Sequence, residues 1–429
     1  MPDSKEDRTS LRPQLGMFDA IATGLAAILG AGIFAVIAPA VGIAGPAVLA
    51  SLGIAAFVAL CNALSSAQLA AVLPRTGGTY EFGRRMLGPW WGFGAGWMFL
   101  TANTVGPGVI ALAFGGYLNA VIPFLPARVA AVLAVLTMTS LNALGIRRSV
   151  KVTDVIVIIS IFSLIAVVLI GLPSARVSNF TPFAPQGLGG ILEATGLLFF
   201  AYTGYSRIAT LVEEVKNPRR TIPRATVVAL GTATLLYLLV AFTALSVLGA
   251  ARLAQSSSPL DETMMVAGSA VGVSIVAAGA LLTTFNEGLS DLLGVSRVTF
   301  AMGRESDMPK ALAVMGTARN PWRSVVFVGL VAMVVAAFAP FEVAVAVSSF
   351  GTLLYYVVTN LSALRLKKEQ RMFPKLISVA GLIGCLALAF SLAPYEVGIG
   401  LAILVAGLTF RWVRVNSRSN QDAMERVAA

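Results

Sequence analysis

Ile28-Leu29-Gly30-Ala31-Gly32-Ile33-Phe34 lies in the middle of the first long apolar run of the chain, near residues 17–43. A glycine costs a helix about 1 kcal/mol relative to alanine, so this pair weakens the helix at its centre. In hydrocarbon such weakness is tolerated only where the freed backbone groups face protein, a cavity or a ligand. Two readings follow from the stretch itself. It is either an interrupted membrane helix whose amides hold something, or a small-residue patch for close packing against a neighbour.

Composition places the run in a membrane. Of the 429 residues, 57% are hydrophobic and only 12% charged, and the mean hydropathy is +0.85. Apolar runs of about 20 residues recur along the chain, each enough to cross roughly 30 Å of hydrocarbon. Spans are predicted near 17–43, 46–73, 91–121, 127–144, 152–172, 188–213, 225–249, 264–296, 324–340, 343–364, 376–393 and 396–413, twelve in all. The predicted fold class is an all-α polytopic membrane protein. The first ten residues are polar and the first apolar run begins with Asp19, so no cleavable signal is expected.

The net charge of +11 would suggest nucleic acid in a soluble protein. Here its placement explains it. With the N-terminus inside, all but four of the 31 lysines and arginines fall in tails or loops of one side; Arg128, Arg176 and Arg252 are on the other side and Arg207 is within a span. Such a bias predicts both termini in the cytoplasm and needs no nucleic-acid partner. Cys61 and Cys385 are isolated in apolar runs, and there is no histidine. No disulfide, metal site, cofactor or histidine proton relay is expected.

The sixth span repeats the peculiarity of the first. Phe199-Phe200-Ala201-Tyr202-Thr203-Gly204-Tyr205-Ser206 puts a glycine, hydroxyls and aromatics in mid-membrane. The first and sixth spans lead two units of five helices, 17–172 and 188–364, followed by 376–413 and flanked by tails 1–16 and 414–429. An odd number of spans per unit inserts the second unit upside down. Paired interrupted helices at matching positions of inverted repeats point to a transporter site.

Four stretches carry a family resemblance: Gly30-Ala31-Gly32-Ile33-Phe34, Pro74-Arg75-Thr76-Gly77-Gly78-Thr79-Tyr80-Glu81-Phe82-Gly83, Glu213-Glu214-Val215-Lys216-Asn217-Pro218-Arg219-Arg220-Thr221-Ile222-Pro223-Arg224, and Ser296-Arg297-Val298-Thr299-Phe300-Ala301-Met302-Gly303-Arg304. In this order and topology the chain resembles the amino acid–polyamine–organocation (APC) transporter superfamily over about residues 15–415. The resemblance implies a leucine-transporter-type five-plus-five inverted repeat with broken first and sixth helices. It also implies a carrier, not an enzyme, moving amino acids or related amines by alternating access. The substrate carboxylate is then expected on amides of Ala31 and Gly32, with Ile28 and Gly30 shaping the approach. The amine is expected on carbonyls of Phe200 and Ala201, beside Thr203 and Gly204. Helix-terminus physics agrees: free N–H groups and about half a positive charge suit a carboxylate, and free carbonyls suit an ammonium.

Other side chains are candidates for lining or gating the pocket: Tyr202, Trp97 and Phe350, with Asn103, Thr104 and Tyr355 behind them. Aromatics at helical spacing equally serve packing. Arg207, about 10 Å beyond Phe200 along a helix, is within snorkelling reach of the interface. Glu287 lies ten residues before Arg297, about 15 Å deep. A lone charge there costs at least about 2.5–3.5 kcal/mol, so it should be paired, protonated or facing a cavity. It is a candidate coupling residue, with Asp291 one turn on. Some relatives of the resembled family carry a lysine in the fifth helix where this chain has Ser160, and that form of proton coupling is then in doubt. Ser160, Thr283 and Thr284 are alternative oxygen ligands for sodium, although such hydroxyls often bond their own backbone. The expected cargo is an amino acid of small or medium neutral side chain, because Thr203 stands where many of those relatives have glycine. A polyamine or other organic amine is the alternative. The expected setting is a prokaryotic cell membrane.

Overall fold

The computed structural model describes residues 16–73, 78–145, 150–205, 215, 217–304, 307–316 and 321–428. Arg207, Arg75, Ser206 and the Glu213-Glu214 part of the third motif lie outside the described residues.

The chain is helical nearly throughout. Helix α1 (Met17–Ile28) stops at Leu29, whose ψ of 114° is extended. A π-helical turn, Gly32–Val36, follows and leads into α2 (Ile37–Ala44). Gly45, at φ +62° and followed by Pro46, turns the chain into α3 (Val48–Val72). A short amphipathic α4 (Gly78–Met86) precedes α5 (Pro89–Val121), whose first residue is a proline that has no N–H to leave unpaired. Then come α6 (Ala127–Ala143), α7 (Val150–Gly171) and α8 (Gly187–Leu198). Helix α8 tightens into a 3₁₀ segment, Phe199–Tyr205.

Beyond the undescribed stretch lie α9 (Pro218–Leu248), the short α10 (Ala250–Ala254) and α11 (Pro259–Val266), and α12 (Ala270–Arg304). The eighth span was expected to begin at 264. Instead α11 ends at Val266 and Gly268, at φ +74°, separates it from α12. The chain closes with α13 (Trp322–Phe338), α14 (Phe341–Leu364), α15 (Lys375–Ala389) and α16 (Pro394–Ala428).

Among the described residues, seven helical stretches are long and apolar enough to cross a membrane, one of them running from Met17 to Val72, and α6, α13 and α15 are shorter apolar helices. Large apolar side chains such as Leu133, Ile158, Phe162, Leu169, Leu235 and Val334 are exposed on α6, α7, α9 and α13. So much bare apolar surface belongs against lipid. This is an all-α polytopic membrane protein.

Helix α5 packs against α6, α12, α13 and α14, forming one wall. Helices α1 and α2 lie inside, against α7, α8, α9 and the 3₁₀ segment. Helix α16 packs on α5 and α14. At the face bearing the basic loops, Tyr80 of α4 donates to Asp307 at 2.6 Å and Arg411 of α16 reaches the same carboxylate at 2.9 Å. The Arg411 guanidinium also lies over the rings of Trp90 and Phe93.

Candidate functional site

The two breaks sit against each other. A methyl group on Gly32 would overlap Ala201, and one on Gly204 would overlap the Ala27 carbonyl. Glycine therefore stands at both positions because backbone meets backbone there. The two segments are largely inside: Ile28, Leu29, Ala31, Phe199, Tyr202 and Tyr205 are buried, and Thr203 and Gly204 are half-buried.

Inside hydrocarbon every broken helix must settle its backbone groups, and side chains settle several of these. The Ala31 amide donates to Glu287 Oε2 of α12 at 2.8 Å. Gly30 lets the carboxylate in, since a methyl there would overlap it. The hydroxyl of Tyr237, on α9, donates to the Ile28 carbonyl at 2.6 Å and lies 3.3 Å from the Ala201 carbonyl. The Thr203 hydroxyl donates to the Phe200 carbonyl at 2.9 Å. On the opposite flank, Tyr117 of α5 donates to the Phe34 carbonyl at 2.7 Å. The Ala31 amide thus faces a carboxylate, and carbonyls of both breaks face O–H donors. That polarity is the one a zwitterion needs.

The other expected residues are distributed as follows. Tyr202 sits beside Tyr237, ring centroids 5.5 Å apart, and its hydroxyl reaches the Leu52 carbonyl at 3.3 Å. Trp97 donates its indole N–H to Ile403 and stacks on Phe410, against α16. Phe350 packs edge-on to Phe390, just after α15, and against Gly400 of α16. Tyr355 meets Phe99 and accepts the Thr79 amide at 3.1 Å, and the hydroxyl of Thr104 and the amide of Asn103 bond their own helix backbone. Asp291 lies against Gly106 of α5. Thr284 bonds back to Ala280. Ser160 and Thr283 are buried on the packed helices α7 and α12, and among the described residues their hydroxyls have no hydrogen-bond partner.

The family model described as "Amino acid permease" matches residues 15–410. The chain belongs to the amino acid permease family. It is a member of the APC superfamily, a transporter of amino acids or amines and not an enzyme. A protein of Mycobacterium tuberculosis named as an uncharacterized transporter is 42% identical over 96% of this chain and 93% of its own length. A branched-chain amino acid permease of Bacillus subtilis is 28% identical over 96% of this chain and 95% of its own. Human cationic amino acid transporter 4 is 30% identical over 84% of this chain and 61% of its own.

Sequence reasoning missed Tyr237 and Tyr117. Both were legible only as tyrosines within apolar spans, where a phenol needs a hydrogen-bond partner. Nothing in the sequence says that the partners are carbonyls of the first break.

Proposed function

We propose that this permease carries a zwitterionic amino acid held between the two helix breaks. The observation that carries the reading is the Ala31 amide bonded to the Glu287 carboxylate at 2.8 Å. An amide already matched to a carboxylate is suited to another one. Entry of substrate then means exchange: its carboxylate takes the Ala31 amide from Glu287, with the Gly32 amide alongside. Its ammonium takes carbonyls of Phe200 and Ala201, now faced by the hydroxyls of Thr203 and Tyr237. The exchange keeps the Ala31 amide matched throughout, so that buried donor never incurs the cost of being unpaired, about 1–3 kcal/mol. Alternating access would rock the two five-helix units, 17–172 and 188–364, about this site. The placement of the basic loops supports a topology with both termini in the cytoplasm.

Counterflow in proteoliposomes tests the reading, with the twenty amino acids and putrescine as competitors. Inhibition by neutral amino acids of small or medium size is the expected result. Inhibition by putrescine and by no α-amino acid would replace it with the amine reading. Substrate binding without counterflow would make the chain a receptor. Runs with and without sodium test Ser160 and Thr283 as ligands of a coupling ion, and a pH gradient tests the proton.

A further inference from the structure

Helix α11 carries a second buried carboxylate, which the site above does not use. Asp261 is 2% exposed, and neither of its oxygens has a hydrogen-bond partner among the described residues. It sits on the face opposite the basic loops, in the segment between α9 and α12. Helix α11 packs on α7, α9, α12 and the π-helical turn of the first break.

The link to that turn is specific. Tyr117 donates to the Phe34 carbonyl at 2.7 Å and accepts the Leu260 amide, next to Asp261, at 3.3 Å. One phenol oxygen therefore joins α11 to the turn. Tyr117 is the titratable group facing Asp261 from α5. The facing runs 32–44, 155–171, 238–248 and 270–286 contain no ionisable side chain. The neighbouring Glu262 points elsewhere, to Arg252. Burial pushes the Asp261 carboxyl up to about 7. Glu262 stays below the usual range because its bonds to Ser256 and Arg252 outweigh its own burial.

We propose that Asp261 is a proton-binding site, and that its protonation fastens α11 over the first-helix turn. The neutral carboxyl tolerates burial, whereas the ionised one needs water or a cation. Loss of the proton therefore favours lifting of α11, with Leu260 leaving Tyr117. One proton passes between water on that face and the carboxyl, and no other bond to hydrogen changes owner. The proposal concerns access to the site from one side and does not depend on which cargo is carried.

The test measures access and not transport. Leu260→Cys places a thiol at a fully buried position, whereas Ser257→Cys places one at an exposed position of the same segment. Each variant, in lipid nanodiscs, is reacted with a hydrophilic maleimide between about pH 5.5 and 8.5, spanning the expected titration. The ratio of the two rates cancels the titration of the thiol itself. The ratio is expected to rise by about tenfold across neutrality, one decade per pH unit being the limit for one proton. In the Asp261→Asn background it should stay low and flat. A flat ratio with Asp261 present overturns the proposal, as does an equal rise in the Asp261→Asn background. If that variant does not fold, the ratio with Asp261 present still decides, because flatness there is sufficient to reject it.

Discussion

The Ala31 amide and the Glu287 carboxylate, 256 positions apart in the chain, are joined by a 2.8 Å hydrogen bond. A charged acceptor strengthens such a bond, and Glu287 is only 9% exposed. The bond explains how a carboxylate at this depth is accommodated, and it sets the first expected outcome. Glu287→Gln keeps an acceptor for Ala31 but removes the charge. Weakening the incumbent by about 1 kcal/mol should tighten substrate binding about fivefold. Half-saturation in counterflow measures this, and a weaker half-saturation would contradict the exchange mechanism.

Gly32→Ala drives a methyl into Ala201. Such overpacking costs about 1–3 kcal/mol, and here it also pries the two breaks apart. Counterflow should fall to near background, and the melting temperature should drop. Gly53, with open space where its Cβ would be, supplies the control: alanine there should leave both unchanged or raise stability slightly.

Tyr237→Phe removes the donor to the Ile28 carbonyl. Leaving that carbonyl unpaired costs about 1–3 kcal/mol. Because the same hydroxyl abuts both breaks, transport efficiency should fall about tenfold or more. The stabilisation that substrate gives in a thermal-shift assay should shrink in parallel.

Thr203→Gly removes both bulk and the hydroxyl on Phe200. The cargo range should widen toward larger side chains such as leucine and phenylalanine, read from competition in counterflow. Equal loss of all substrates would mean that Thr203 supports the segment without bounding the pocket.

Asp261 has a pH signature whose sign is fixed. Its carboxyl is raised from 3.8 to about 7, so below about pH 4 folded and unfolded chains both hold the proton. Between about 4 and 7 the folded chain binds the proton that the unfolded one has released, and stability falls as pH rises through this window. The difference in melting temperature between the native chain and Asp261→Asn, followed across that range, should change in that sense and level off above about pH 7. A constant difference would mean that the carboxyl is not buried in solution.

The helical membrane fold was legible because apolar run length and the one-sided placement of arginines and lysines are local facts. The Gly30–Gly32 break was equally legible, since paired glycines carry a cost that must be offset nearby. That Glu287 is buried was legible by counting turns back from Arg297. The partner of Glu287 was not legible, because pairing between the first break and α12 is a property of packing and leaves no trace in spacing. For the same reason spacing did not show that Trp97 meets Phe93, Ile403 and Phe410, or that Phe350 meets Phe390. An aromatic at helical spacing shows its face only once the neighbours are known. Asp261 was overlooked because a carboxylate in a short connecting segment reads as solvated, and only the cover of α7, α9 and α12 makes it unusual.

The Tyr237 oxygen, 2.6 Å from the Ile28 carbonyl and 3.3 Å from that of Ala201, also acts as a gauge. Under the proposed reading, one rigid phenol fixes the span between the segment that takes the acid end of the cargo and the one that takes its amino end. The protein would then measure backbone length before it inspects a side chain. β-Alanine and γ-aminobutyrate, which have the same two charged ends on a longer tether, would be refused whatever their size.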